Sequence, residues 1–116
     1  MSEIPNPWIP ICPGIKRRTL VTGPSMYQML AQLDAGSHMP AHQHPQEQIV
    51  HIVHGRMLLI VDGVRHELRT GDSFYLESDI PHGVETIDET TVLDTFSPPR
   101  EDLLALDEKA REPIAL

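Results

Sequence analysis

The chain predicts an all-β domain, a sandwich or small barrel of roughly seven to nine short strands. Three observations carry this. Eleven prolines and seven glycines are spread along 116 residues, which disfavours long helices. Short alternating or apolar runs recur between turn signals at regular spacing. Asp62-Gly63, set between two apolar runs, is a two-residue hairpin signal. The length suits one domain, with no room for a second core.

The elements follow in order. Ile4 to Pro13 cannot be helical, because its prolines fix φ and remove donors. It is too apolar for a disordered tail, so it is expected to lay Trp8 and Ile9 against the body or a second subunit. The expected division is an arm over 1–18, a barrel over about 19–97 and a tail over 98–116. Thr19 to Thr22 reads as a short strand. Ser25 to Leu33 alternates, placing Tyr27, Met29, Ala31 and Leu33 on one face, and Asp34-Ala35-Gly36 then turns the chain. Ile49 to His54 and Arg56 to Val61 read as strands, with Gly55 marking a bulge or bend between them. Asp62-Gly63 returns the chain into Val64 to Leu68, and Thr70-Gly71-Asp72 is another turn. Ser73 to Leu76, His82 to Ile87 and Val92 to Phe96 are further strands, split by Ser78 to Pro81 and by Asp88-Glu89. Only Glu101 to Arg111 is helical in character, with Leu103, Leu104, Leu106 and Ala110 among charges.

Nine Lys and Arg against seventeen Asp and Glu give a formal charge of −8, which argues against nucleic-acid and anionic-membrane partners. No apolar run is long enough to span a bilayer. Met1 to Gly14 has no apolar h-region, so it does not read as a secretory signal. Cys12 stands alone, which excludes an internal disulfide and fits a reducing cytoplasm, the expected location. With no charged neighbour in sequence, Cys12 reads as a packing residue.

Seven histidines are a surplus for this length. His42 and His44 are two apart, so on a strand both imidazoles project from one face. Neutral imidazoles are common ligands of first-row transition metals. Taken alone, a His-x-His pair is more often a surface pair than a site. His51 and His54 fall on opposite strand faces; His54 shares the Gln48 face, although a hydrogen-bonded structural role suits it better than a place in a cavity. His38 and His66 are expected in solvent.

The framing residues change that reading. Gly36, five residues, His42, one residue, His44, three residues, Gln48, six residues, Gly55 resembles the first motif of the cupin superfamily, spacing for spacing. Gly71, ten residues and His82 match the spacing of its second motif. The resemblance runs from about Met26 to Phe96. It implies a double-stranded β-helix, a jelly-roll barrel holding one divalent transition metal (Mn, Fe, Co, Ni or Zn), here with an N-terminal arm and a short C-terminal helix. It also implies association into a homodimer, through the arm or the outer sheet. There are departures. Gln48 replaces the usual Glu, and Glu77, Asp79 and Thr86 replace Pro, Gly and Asn, so the second motif keeps its histidine but not its loop residues.

Glu47 and Gln48 point to opposite faces of a strand, so only one can face inward; the family count selects Gln48, and a register slip or bulge would be needed to bring Glu47 in instead. Three neutral imidazoles and a neutral amide leave a divalent ion its full charge. Such a centre favours an anionic oxygen ligand over oxygen-activating redox chemistry.

A second stretch narrows the resemblance. On a strand Asp94 and Phe96 share one face, which is the interior if His82 also points inward. A carboxylate there is costly unless paired or catalytic. Pro98-Pro99 stiffly aims Arg100, for which the plain alternative is an ion pair at a strand end. His42 to Gln48, together with Asp94-Thr95-Phe96-Ser97-Pro98-Pro99-Arg100-Glu101-Asp102, is similar to the small cupins of pectin and alginate breakdown, which ketonise 4,5-unsaturated monouronates. That resemblance implies a metal held by His42, His44, Gln48 and His82, and functional roles for Asp94, Phe96 and Arg100. The implied partner is a small anionic sugar, drawn to a mouth made positive by the metal and Arg100, with help from Arg56 or Arg17. Other readings stay open: a metal-dependent dioxygenase, a sugar isomerase, or a metal-bearing sugar-binding module without catalysis.

Overall fold

The computed structural model describes residues 6–111. Ile4 and Pro5 of the opening segment, and the tail after residue 111, lie outside the described residues. The described residues form eight strands and one helix: β1 (Ile9–Cys12), β2 (Ile15–Thr22), β3 (Tyr27–Leu33), β4 (His38–His42), β5 (Glu47–Val61), β6 (Val64–Arg69), β7 (Ser73–Leu76), β8 (His82–Ser97) and α1 (Glu101–Arg111). Among the described residues no helix is long and apolar enough to cross a membrane.

Every strand pairing is antiparallel, and the connected order is β1-β2-β3-β8-β5-β6, with β4 on β8 and β7 on β5. The long strands β5 and β8 pair with each other along most of their length. The C-terminal half of β8 pairs with β3 and its N-terminal end with β4. The first part of β5 pairs with β7 and the last with β6. Two sheets therefore share β5 and β8 as corners, and their inner faces form one core. Ile15, Ala31, Leu33 and Val50 from one side meet Met57, Leu59, Val61 and Leu68 from the other. This is a jelly-roll barrel.

The bulge or bend expected at Gly55 is present, though within a single strand, and the break expected at Asp88-Glu89 is absent, for a common reason. Gly55 lies inside one continuous β5, and Asp88-Glu89 lies inside one continuous β8. The pairing between them shifts register at Ile52/His54, His54/Arg56 and Arg56/Met57, opposite Asp88 to Thr91. Both strands bend together there, so the ladder turns the corner without ending. Gly55 adopts φ 119°, and a Cβ on it would meet the Glu89 carbonyl oxygen at 2.5 Å. Gly55→Ala is accordingly expected to destabilise the fold by about 3 kcal/mol, from the sum of backbone strain and overpacking. Denaturant unfolding checks this; a loss under about 1 kcal/mol would mean that the corner tolerates a side chain.

The bend also reverses which residues face inward. Before it Gln48, Val50 and Ile52 are buried; after it Met57, Leu59 and Val61 are. His54 falls where the alternation breaks and is exposed.

From Ile9 onward the opening segment is built into the sheet: β1 pairs with β2 across Pro13-Gly14, so the boundary expected at residue 18 falls inside β2. Trp8 lies under two cations of β2, Lys16 Nζ at 5.2 Å and Arg18 at 5.0 Å from the ring centroid. His66, expected in solvent, is half-buried with its ring 4.7 Å from Phe74.

α1 carries Glu101 and Asp102 in its first turn and Lys109 and Arg111 in its last, which complements the helix dipole. Leu103 and Leu104 pack on a second apolar cluster of Tyr27, Met29 and Phe96. Leu106 and Ala110 face solvent instead, and the buried residue of the helix is Asp107.

Candidate metal centre and cavity

β4 ends at His42, and His44 sits in the following loop rather than on the strand. The expected strand-face pairing of the two is replaced by a loop that folds His44 back. His42 and His82 are direct cross-strand partners between β4 and β8. Ring centroids lie 4.3 Å apart for His42 and His82, 5.0 Å for His44 and His82, and 5.9 Å for His42 and His44. One ring nitrogen from each of the three falls within 4.8 Å of the others.

The remaining nitrogens are committed to the backbone. Nδ1–H of His42 donates to the Pro40 carbonyl (3.1 Å), that of His44 to Gln46 (3.0 Å) and that of His82 to Ile80 (2.9 Å). Each bond fixes the tautomer that leaves Nε2 as a lone pair, the state that a metal ligand needs. Burial acts in the same sense: it lowers His82 to about 4 and holds His44 below the ordinary imidazole value. Both rings are neutral near pH 7.

Gln48 faces the same space. Its Nε2 donates to Asp94 Oδ1 at 2.8 Å, which turns Oε1 toward His44 Nε2 at 3.1 Å. Two acceptors at that separation repel unless a cation stands between them. The donor set of three imidazole nitrogens and an amide oxygen therefore fits a divalent transition metal, which His42, His44, Gln48 and His82 would hold. Glu47 points outward, exposed, with its carboxylate accepting from the Tyr75 hydroxyl at 3.2 Å. His82→Ala is expected to weaken metal affinity on the order of a hundredfold or more. Competition with a chelator measures this, and affinity equal to that of the unaltered protein would remove His82 from the ligand set.

The loop that carries the motif departures serves this arrangement. Asp79, in the family's glycine position, takes φ 63°, a left-handed conformation that Asp tolerates better than most residues. Its N–H donates to the His44 carbonyl at 2.9 Å, and Ser78 Oγ donates to the Pro45 carbonyl. The second-motif loop thus braces the first.

A cavity of about 400 Å³ opens beside the histidines and is lined mostly by apolar side chains, with Arg17, Gln48, Asp94 and Arg100 among the polar ones. Asp94 is buried in its wall. Burial pushes its carboxyl up to about 7, against the opposing influence of the Gln48 hydrogen bond and the Arg100 charge. Phe96 lies next along the inner face of β8, with His44 5.5 Å from its ring and the Arg100 guanidinium 4.8 Å from it. Arg100 also grips Asp102 side-on, Nε to Oδ1 at 3.1 Å and Nη2 to Oδ2 at 2.9 Å, leaving its Nη1 end outside that pair.

The two arginines considered as helpers separate. Arg56 lies outside, 39% exposed and facing Glu67 and Asp88, and it does not line the cavity. Arg17 lines the cavity wall, wholly buried and paired with Asp107. Sequence reasoning missed Asp107 and Asp102. The available signal for Asp107 was a charge four residues after Leu103, on the apolar stripe of the tail helix.

A jelly-roll barrel that gathers three tautomer-locked imidazoles and an amide oxygen at the wall of its cavity, His42 exposed and His82 buried, is a metal-competent small-molecule site. The cupin domain family matches residues 29–96, and the chain belongs to it. It is 31% identical over 101 residues to a pectin degradation protein, KdgF, of Dickeya dadantii (strain 3937), covering 85% of this chain and 92% of that protein. The structure of KdgF from Halomonas sp. is similar with a TM-score of 0.79 and 29% identity, over 84% of this chain and 90% of that one. An RmlC-like cupin from Shewanella frigidimarina NCIMB 400 gives a TM-score of 0.79 and 32% identity, over 84% and 88%.

Proposed function

We propose that this cupin converts 4,5-unsaturated monouronates, the sugars left by pectin or alginate breakdown, to linear 5-keto uronates. The observation that carries the reading is the buried Asp94 carboxyl, hydrogen-bonded to Gln48 in the same cavity as the three histidines and Arg100. The likeness to a pectin degradation protein supports the substrate class.

The reaction is an isomerisation. The anomeric hydroxyl at C1 gives up its proton, the bond from C1 to the ring oxygen breaks, and the ring oxygen keeps the electron pair as an enolate on C5. A proton then adds to C4, giving an aldehyde at C1 and a ketone at C5. A divalent ion, which His42, His44, Gln48 and His82 would hold, would supply positive charge to stabilise developing oxyanions. Asp94 is the acid/base group, taking the C1 hydroxyl proton and returning one to C4. The Nη1 end of Arg100 binds and orients the substrate carboxylate. Phe96 excludes water and places its ring under the Arg100 guanidinium, 4.8 Å away.

The conjugated enol ether of the substrate absorbs in the ultraviolet, and ketonisation removes that absorbance. Metal-loaded protein is expected to accelerate the decay over buffer, and chelation is expected to abolish the acceleration. An unchanged decay rate with the metal site full would discard the reading.

A further inference from the structure

Gln46 touches both halves of the site without lining the cavity. It immediately precedes β5 and is buried. Its main-chain carbonyl is the acceptor that fixes the His44 Nδ1–H. Its side chain reaches the other way: Nε2 donates to the carbonyl of Pro99, the residue before Arg100, at 3.3 Å.

The sequence explains why a side chain is needed there. Glu47 and Ser97 are the last cross-strand partners of β5 and β8 at this end. Pro98 and Pro99 follow, and neither carries an N–H, so the ladder cannot continue through donors of that strand. The Gln46 amide supplies a donor from the facing chain instead. Arg100 is thus held near its base by this bond, by the Phe96 ring 4.8 Å from its guanidinium, and by Asp102 at Nε and Nη2. Asp102 is 61% exposed, and a pair that open to water restrains little. The shielded restraints on Arg100 are Phe96 and Gln46.

An amide is a poor choice here for stability alone. Gln46 Oε1 is buried with no hydrogen-bond partner among the described residues, a cost that an apolar side chain of similar length would not carry. Without Gln46 the Pro99 carbonyl would still be paired, because the Glu101 N–H donates to it at 3.1 Å.

We propose that Gln46 is a positioning residue. It ties the turn that carries Arg100 to the loop that carries His44, and so fixes the span over which the guanidinium and the metal centre grip one sugar acid. The proposal deepens, and rests on, the reading of the cavity as a uronate site. Gln46 touches no substrate and acts through Arg100.

The test uses full-length zinc-loaded protein and Gln46→Met, which keeps the length of the side chain and removes the donor. Calorimetric titration with galacturonate, a saturated probe, is expected to show affinity about fivefold weaker, the effect of one hydrogen bond. Turnover of the unsaturated monouronate is expected to show KM raised by a similar factor, with kcat within about threefold. Tm is expected to be unchanged or higher. Zinc affinity in chelator competition is expected to be unchanged, because the main-chain carbonyl at His44 remains. In an Arg100→Met background, Gln46→Met is expected to change kcat/KM by less than about twofold, since the group it acts through is gone.

A further loss of about fivefold in that background overturns the proposal. Weakened zinc binding also overturns it, because Gln46 would then act through His44. So does a lower Tm with galacturonate affinity and KM unchanged, the signature of a purely structural residue, and that outcome leaves the ketonisation reading standing. Weaker galacturonate binding in Gln46→Met, where the unaltered protein does not accelerate decay of the unsaturated monouronate, discards ketonisation and keeps the positioning role. An unaltered protein that neither binds galacturonate nor accelerates the decay overturns both.

Discussion

Asp94→Asn is expected to reduce the accelerated loss of ultraviolet absorbance about a thousandfold while leaving the metal content of the protein unchanged. The reasoning is local. Asn keeps an oxygen where Gln48 Nε2 now donates, so the amide that faces His44 keeps its orientation. What goes is the group that takes a proton from one substrate atom and returns it to another. The loss should therefore lie in kcat, with KM little changed, because Arg100 and the metal centre still bind the substrate. Metal analysis of the purified variant and steady-state kinetics decide it. Activity within tenfold of the unaltered protein would take the proton transfer away from Asp94.

The second large effect concerns stability. Asp107→Ala leaves the Arg17 guanidinium buried without its counter-charge, a defect that costs about 3–5 kcal/mol. In a domain of this size that corresponds to a fall in Tm on the order of 15 °C. Three contacts go together, because the Asp107 carboxylate accepts from Arg17 and from the Thr19 hydroxyl, which in turn accepts from the Tyr27 hydroxyl. Tyr27 packs 5.8 Å from Phe96, and the Arg100 carbonyl accepts the Leu104 N–H of α1, so loosening the helix reaches the cavity wall. Thermal unfolding followed by circular dichroism checks the prediction. A fall of only a few degrees would mean that α1 is held by Leu103 and Leu104 alone.

Much of the barrel was legible because a period of two is a strong signal wherever one face of a strand is buried. Tyr27, Met29, Ala31 and Leu33 alternate in sequence and are all buried. Asp62-Gly63 closes its hairpin with positive φ at both residues. The continuity of β5 and β8 was not legible, because Gly55 and Asp88-Glu89 carry the local chemistry of turns. What overrides them is the partner strand, which bends at the same place and keeps the ladder paired. The exposure of His54 follows from that bend and from nothing local.

The site divides the same way. Spacing and chemistry along the chain determined which residue types were available: imidazoles at 42, 44 and 82, an amide at 48, a carboxylate at 94 and a guanidinium at 100. They also determined that Asp94 and Phe96 share a face, since strand geometry is a property of neighbours. Only the tertiary structure decided that His42 and His82 stand opposite each other, that carbonyls of Pro40, Gln46 and Ile80 lock the three tautomers, and that Arg17 meets Asp107 across ninety positions of chain. The reason is physical. Periodicity along one strand or helix specifies which side a residue faces, whereas register between distant strands and the docking of a helix emerge from the packing of the whole core.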